Sequence, residues 1–507
     1  MFAKVQSIAL EGLKGFEVSV EADIFDGLPA YETVGLPGVA VKESKERVRS
    51  AIKNSHLNYP TRRITVNLAP ADIRKEGPVY DLPIALGLLR ASGQLDDISE
   101  TCIFIGELAL DGALRKVNGI LPMLIEAVKF GYTSAVIPKD NAAEAECLNK
   151  IDIYPAENLN QVVNHINARE VLPVVEYRGY ENMPAQSKGM VDFSEIKGQG
   201  FAKRAMEIAA AGGHNILLIG PPGAGKSMLA KALPGILPDL CFEEALEITK
   251  IHSIAGQLDG GLIKTRPFRS PHHTTSTASL AGGGAKVSPG DISLAHFGVL
   301  FLDELPEFKR EALEALRQPI EDGIVNVARV NAKAVYPADF MLVAAMNPCP
   351  CGNYGSNLRE CRCSQRQISG YLGRISGPLL DRIDMHIELS EVTYTEISST
   401  QKDETSASVK QRVNAARQRQ IERYQGSGVY TNAQLSSSQV KKFCAIDEAG
   451  ERLIEQAFSK LDISARSYNR ILKVARTIAD MDTADTIGAH HIAQAIQFRS
   501  LDRKYWG

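Results

Sequence analysis

At one place in the chain, glycine, lysine and serine fall at spacings that suit phosphate chemistry. Gly220, Pro221, Pro222, Gly223, Ala224, Gly225, Lys226 and Ser227 spell G-x-x-x-x-G-K-[ST]. The glycines let backbone N–H groups turn inward around phosphate oxygens. A helix beginning at once, with Met228 in its first turn, adds its positive end. Lys226 is expected to reach β- and γ-phosphates, and Ser227 to ligate Mg2+. Further on, the apolar run "GVLFL" ends in Asp303 and Glu304. Asp303 suits Mg2+, directly or through water. Glu304 suits orienting and deprotonating an attacking water. A third apolar run, "FMLVAAM", ends in Asn347. That amide can position the same water, although an Asn there also serves as a plain turn former.

Two further clusters carry reactive types. Cys349 and Cys351 form one C-x-C pair, and Cys361 and Cys363 another. Four thiolates in two close pairs can close a tetrahedral Zn2+ site. A redox-labile thiol loop and plain free cysteines are the competing readings, and in a reducing cytoplasm two disulfides are disfavoured. Arg359, Arg362 and Arg366 flank the cluster, which makes nucleic acid a plausible neighbour. The other cluster is "FRSPHHTTS", Phe268 to Ser276. In an extended segment His272 and His273 point to opposite sides, so they are poorly placed to share a metal. It reads either as an insertion that touches substrate or as a packed structural loop.

These residues need elements to hold them. "NILLI" before the glycine-rich turn is a buried strand, and "MLAKAL" after it is a helix. "IVNVARVNAKAVYPA", Ile324 to Ala338, reads as two short strands with a turn at Asn331–Lys333. Arg329 and Lys333 near its tip are candidates for phosphate contact. "SARSYNRILKVARTIADM" sets Ile471, Leu472, Val474, Ala475, Ile478 and Ala479 at helical spacing. Ahead of all this, strand-like "RRITVNLAP" and helix-like "LPMLIEAVKFG" give a mixed α/β domain.

The chain has 507 residues, 44% apolar and 23% charged, with a net charge of −3. That is ordinary for a soluble multidomain protein. Overall charge does not advertise nucleic acid, so any basic surface must be local. No apolar run approaches the ~20 residues needed to span a membrane. The opening stretch lacks the apolar core of a signal peptide. A cytoplasmic location and no membrane partner are expected.

The order GPPGAGKS, FLDE, AAMN resembles an AAA+ ATPase. "FRSPHHTTS", "SLAHFGVLFLDELPEF", "MNPCPCG", "SGPLLDRID" and "ARSYNRILKVARTIAD" together resemble the YifB/ComM family of the magnesium-chelatase-like branch. The resemblance covers essentially the whole chain. It implies ATP and Mg2+ as cofactors and an arginine finger at Arg382 that enters a neighbouring subunit's site. It also implies a sensor arginine at Arg466, with Arg470 as the alternative. "FRSPHHTTS" then corresponds to an insertion facing the central pore of a ring.

The front of the chain resembles the Lon-protease fold without its chemistry. Where Lon carries Gly-Pro-Ser, this chain has Gly77-Pro78-Val79. Where Lon has its lysine, this chain has Leu121 after "NGI". A Ser–Lys dyad needs a hydroxyl and an amine. The expected α/β organisation is a Lon-like domain over 1–170, a linker over 171–190, an AAA+ domain over 191–395 and a helical lid over 396–507. The resemblance implies a homo-oligomeric, hexameric ring that acts on branched or single-stranded DNA in branch migration. The alternatives are a protein-remodelling ATPase and a chelatase motor.

Overall fold

The computed structural model describes residues 1–184, 191–284, 287–329, 332–356, 359–391, 403–461 and 465–506. The chain forms two compact units. The first comprises Met1–Ala185 together with Phe242–Ile263 and Ala328–Val335. The second comprises Gln186–Cys241, Lys264–Val327 and Tyr336–Gly507. Among the described residues no helix is long and apolar enough to cross a membrane.

The first unit is built on a seven-stranded mixed sheet. Its strands are β1 (Phe2–Glu11), β2 (Lys14–Phe25), β3 (Ala30–Val34), β4 (Arg63–Ala69), β5 (Cys102–Phe104), β6 (Ser134–Pro138) and β7 (Asp152–Ala156). Their order is β3-β4-β2-β1-β5-β6-β7. β1 and β2 pair antiparallel, while β5, β6 and β7 run parallel. Along β2 buried Val18, Val20, Ala22 and Ile24 alternate with more exposed neighbours, as a strand with one face on a core must. The helix Asp81–Ala91 is buried at every position except Arg90, so it lies inside the unit. Val79 and Leu121 are both buried apolar side chains. The later helix Phe242–Ile254 belongs to this unit. Ser253 Oγ donates to the buried Glu144 at 2.6 Å, and Gly119 N–H donates to Ser253 O at 3.0 Å.

The second unit holds an all-parallel five-stranded sheet. Its strands are β8 (Ile216–Ile219), β9 (Phe268–Arg269), β10 (Val299–Leu302), β11 (Met341–Met346) and β12 (Met385–Glu388), in the order β9-β10-β11-β8-β12. β8, β10 and β11 are buried at every residue, the continuous apolar pattern of strands covered on both faces. β8 sits between β11 and β12, so the chain leaves it toward one side and later returns on the other. Such a reversal opens a crevice at the carboxyl ends of the strands, where ligands bind in open α/β sheets. Helices follow at Ser406–Arg423, Ser437–Phe443, Glu448–Leu461, Ala465–Met481, Ala489–Gln497 and Leu501–Trp506. On Ala465–Met481 the six apolar residues expected to face inward are all buried.

Two strands, Ile324–Arg329 and Ala332–Pro337, form a hairpin. Lys333 is exposed and lies in the second strand rather than in the turn. Ala332 opens that strand, and Asn331 and the Arg329 side chain lie outside the described residues.

Candidate functional site

Gly220 follows β8, and the loop ends at Gly225, which caps the helix Lys226–Ala232. Gly223 and Gly225 have φ of +83° and +89°. A Cβ at either position would meet nothing within 4 Å, so it is the backbone conformation that demands glycine there. Lys226 is 9% exposed. Its Nζ donates to Gly220 O (2.7 Å), Pro221 O (2.9 Å) and Asn347 Oδ1 (3.1 Å). Burial lowers its pKa, and the nearby Asp303 carboxylate opposes that fall. Asn347 follows β11, the strand beside β8, so the pairing comes directly from the sheet order.

Ser227 Oγ donates to Asp303 Oδ2 at 2.8 Å. Two adjacent ligands of an octahedral Mg2+ at about 2.05 Å stand about 2.9 Å apart, so this oxygen pair fits that ion. Glu304 occupies the left-handed region at φ +53°, an uncommon place for a side-chain-bearing residue, and its N–H donates to Asp303 Oδ1 at 2.9 Å. The turn directs the Glu304 carboxylate onto His273: Nδ1 to Oε2 is 3.1 Å. Sequence reasoning missed this contact. The signal that could have found it is register. β9 and β10 are parallel neighbours, with Phe268 opposite Val299, so the residues after each strand emerge at the same sheet edge.

His272 and His273 do not diverge as an extended segment requires. The chain turns after Pro271, and the two rings lie 4.1 Å apart. Phe308 meets His273 edge-on. The pair joins no metal-ligating cluster among the described residues. Arg269, a candidate for substrate contact, is held by Asp291 at 2.6 Å. Asp482, His490 and His491 do come together. There His491 Nδ1 accepts the Gly488 N–H at 2.9 Å. Its proton therefore sits on Nε2, the atom facing Asp482, and that nitrogen cannot ligate a metal.

Arg382 lies at the other end of the sheet. β8 and β12 are parallel with Ile216 opposite Met385, and Asn215 Nδ2 donates to Arg382 O at 3.2 Å. From Asn215 to Gly220 the chain takes five steps of about 3.3 Å, or about 16 Å. Arg382 pairs with Glu321 at 2.5 Å and donates to Pro378 O at 2.6 Å. It lines a cavity of about 190 Å³ with Arg466, Arg470, Lys473, Glu321 and Asp381. Arg470 anchors this wall through Asp384 at 3.3 Å. Burial would raise the pKa of Asp384, but His214 and then Arg470 and Lys473 hold it down at about 2. The structure thus groups Arg382, Arg466 and Arg470 together and apart from Lys226.

The four cysteines converge. Cys349 Sγ lies 3.4 Å from Cys351 Sγ and 3.7 Å from Cys361 Sγ, and Cys351 lies 3.7 Å from Cys361. All four sulfurs, Cys363 included, fall within 4.8 Å of one another. A disulfide needs about 2.05 Å. Four thiolates at about 2.3 Å from one Zn2+ stand about 3.8 Å apart, so the set fits a tetrahedral ion. Backbone N–H groups of Asn353 and Arg362 lower the Cys351 pKa to about 6. Arg359, Arg362 and Arg366 are exposed and make no ion pair among the described residues.

Family models described as magnesium chelatase, subunit ChlI, match residues 192–397, and the C-terminal model of that subunit matches 403–499. A further model, subunit ChlI of Mg-chelatase, matches residues 20–141. The chain is 44% identical to competence protein ComM of Haemophilus influenzae over 99% of this chain and 98% of that protein. It is 45% identical to YifB of Escherichia coli over 98% of this chain and 97% of that one. The magnesium-chelatase 67 kDa subunit of Chlorobaculum parvum is 32% identical over 31% of this chain and 24% of its own length. With a lysine, a serine–aspartate pair and a strand-end glutamate gathered at one sheet edge, and with similarity extending over nearly the whole chain, the chain belongs to the YifB/ComM family of magnesium-chelatase-like AAA+ ATPases.

Proposed function

We propose that this ATPase is a cytoplasmic, ring-forming motor on DNA that drives branch migration, as its likeness to a competence protein suggests. The observation that carries the reading is the separation of two half-sites. One edge of the sheet presents Lys226, Ser227, Asp303 and Glu304, and the opposite edge presents Arg382 with Arg466. ATP held at the first edge needs the arginines of another copy. Lys226 neutralises the phosphates, Asn347 fixes the lysine, and Glu304 takes the proton of the attacking water. Ser227 and Asp303 would hold Mg2+, which when bound would supply positive charge to the phosphates.

The exposed Lys333 and the three arginines beside the cysteines supply basic surface on a chain whose net charge is only −3. A ring repeats them in every subunit, so a few cations per chain become a dense collar. Binding through phosphates will fall steeply with salt and depend little on base sequence. A labelled four-way junction with ATP will undergo strand exchange. Lys333→Ala will weaken binding and reduce the salt slope by about 1 for each phosphate that is no longer neutralised. Absence of DNA binding at low salt with nucleotide present would end this reading in favour of protein remodelling. Binding without ATP-dependent exchange would remove branch migration alone.

Proteolysis plays no part in this function. The positions that would carry a Ser–Lys dyad hold Val79 and Leu121, which have neither nucleophile nor base. Unfolded protein incubated with the chain and ATP will yield no fragments. Cleavage that tracks the protein through a sizing column would overturn that statement.

A further inference from the structure

The phosphate loop and the cysteine cluster touch, and they do so on both sides of the first C-x-C pair. Two residues before Cys349, Asn347 Oδ1 accepts from Lys226 Nζ at 3.1 Å. One residue after Cys351, Gly352 lies against Pro222 so closely that a Cβ there would sit 2.5 Å from Pro222 Cδ. Gly352 also has φ +81°, so both its conformation and the close approach exclude a larger residue. Cys349, between these two contacts, is fully buried. The outer side of the same segment is tied down as well. Tyr354 packs edge-on against Tyr505, and the Tyr505 hydroxyl donates to Glu388, the last residue of β12, at 2.8 Å.

We propose that Cys349, Cys351, Cys361 and Cys363 bind one Zn2+ and that this centre clasps the phosphate loop, so that metal loading sets nucleotide affinity. The four thiols give up their protons to solvent as the ion binds, and the ion takes the place of those protons as the charge partner of the sulfurs. Only the second pair lies outside the Asn347–Gly352 segment that meets the loop. Closing the tetrahedron pulls "CPC" toward "CRC" and fixes the short path from Asn347 to Gly352. With that path fixed, Asn347 stays on Lys226 and Gly352 stays on Pro222. Without the ion the segment is held on its outer side alone, and the contacts of Asn347 with Lys226 and of Gly352 with Pro222 loosen. The proposal rests on the glycine-rich loop as the nucleotide site and is independent of DNA as the substrate.

The full chain, purified without chelator, will contain one Zn2+ by elemental analysis. Co2+ in its place will give the visible absorption of a tetrahedral thiolate site. Affinity for a fluorescent ATP analogue, measured with no turnover, will fall on the order of ten- to hundred-fold when the metal is stripped, and will return when Zn2+ is added back. A Cys361→Ser, Cys363→Ser variant will lose metal and affinity together. Gly352→Ala will keep its zinc and lose affinity, which separates the clasp from the ion itself. Wild-type protein without zinc would overturn the metal site. A stripped chain that stays folded by circular dichroism and binds nucleotide as before would overturn the clasp, as would loss of fold across the whole chain on stripping. If nucleotide fails to bind even the zinc-loaded parent, the loop assignment has failed and not the clasp.

Discussion

Arg382→Ala subunits will hydrolyse ATP about 10³–10⁵-fold more slowly than the parent, and will regain turnover when mixed with Lys226→Ala subunits. The size of the effect follows from where the charge develops. In phosphoryl transfer the transition state spreads negative charge over the γ-oxygens, and a guanidinium delivered there stabilises it far more than the ground state. Arg382 cannot deliver that charge to its own chain's loop. It enters the sheet beside Asn215, while the loop leaves after Ile219. Its side chain already points into a cavity shared with Arg466 and Arg470. Each defective subunit keeps one sound half-site, Arg382→Ala its lysine and Lys226→Ala its finger. Where the two alternate, every second interface is intact. Phosphate release from the mixture, under conditions that allow subunits to exchange, is the measurement. A mixture no faster than the sum of its parts would place Arg382 outside the neighbour's site.

Glu304→Gln will bind ATP as tightly as the parent and hydrolyse it about 10²–10⁴-fold more slowly, the range of a general base. The amide preserves the shape of the turn and can still hydrogen-bond His273, but it cannot accept the water's proton. The contact with His273 adds a second expectation for this variant. Because the carboxylate is held by a side chain from the neighbouring strand's loop, Gln at 304 leaves that loop in place, and nucleotide affinity does not move. Filter-binding of labelled ATP and steady-state phosphate release give the two halves of the result. Turnover within a few-fold of the parent would assign the base elsewhere.

The phosphate loop was legible in the sequence because its requirements are local. Positive φ at Gly223 and Gly225, a lysine one step later and a hydroxyl next to it all fall within eight residues. The same holds for the strand-end acids at 303 and 304, and for the helix Ala465–Met481, whose inward face repeats at helical spacing. The α/β class could be read from the alternation of apolar runs with turn residues. What could not be read was the meeting of elements far apart in sequence. His272 and His273 read as divergent on an extended backbone, but the chain turns there and the two rings come together at a tilt. That His273 faces Glu304 depends on β9 lying beside β10, a matter of strand order rather than composition. Arg466 read as a sensor arginine, with Arg470 as the alternative. The helix pattern named its buried face, but not which edge of the sheet that face would meet. The tip of the hairpin could be placed only in part, since Lys333 joined the strand.

The two edges of the second sheet also restrict how copies can assemble. One edge carries the lysine and the acids, and the other carries the arginine cavity; the two surfaces are unlike. A two-fold axis sets a patch against its own image, so it would face lysine edge to lysine edge and leave every arginine cavity without a phosphate. Only a head-to-tail contact brings the unlike edges together. Repeated, such a contact never saturates in a pair: it closes into a ring when the rotation per copy divides a full turn, and otherwise runs on as a helix. The direction in which β12 runs beside β8 therefore selects cyclic or helical symmetry for any assembly that completes the site.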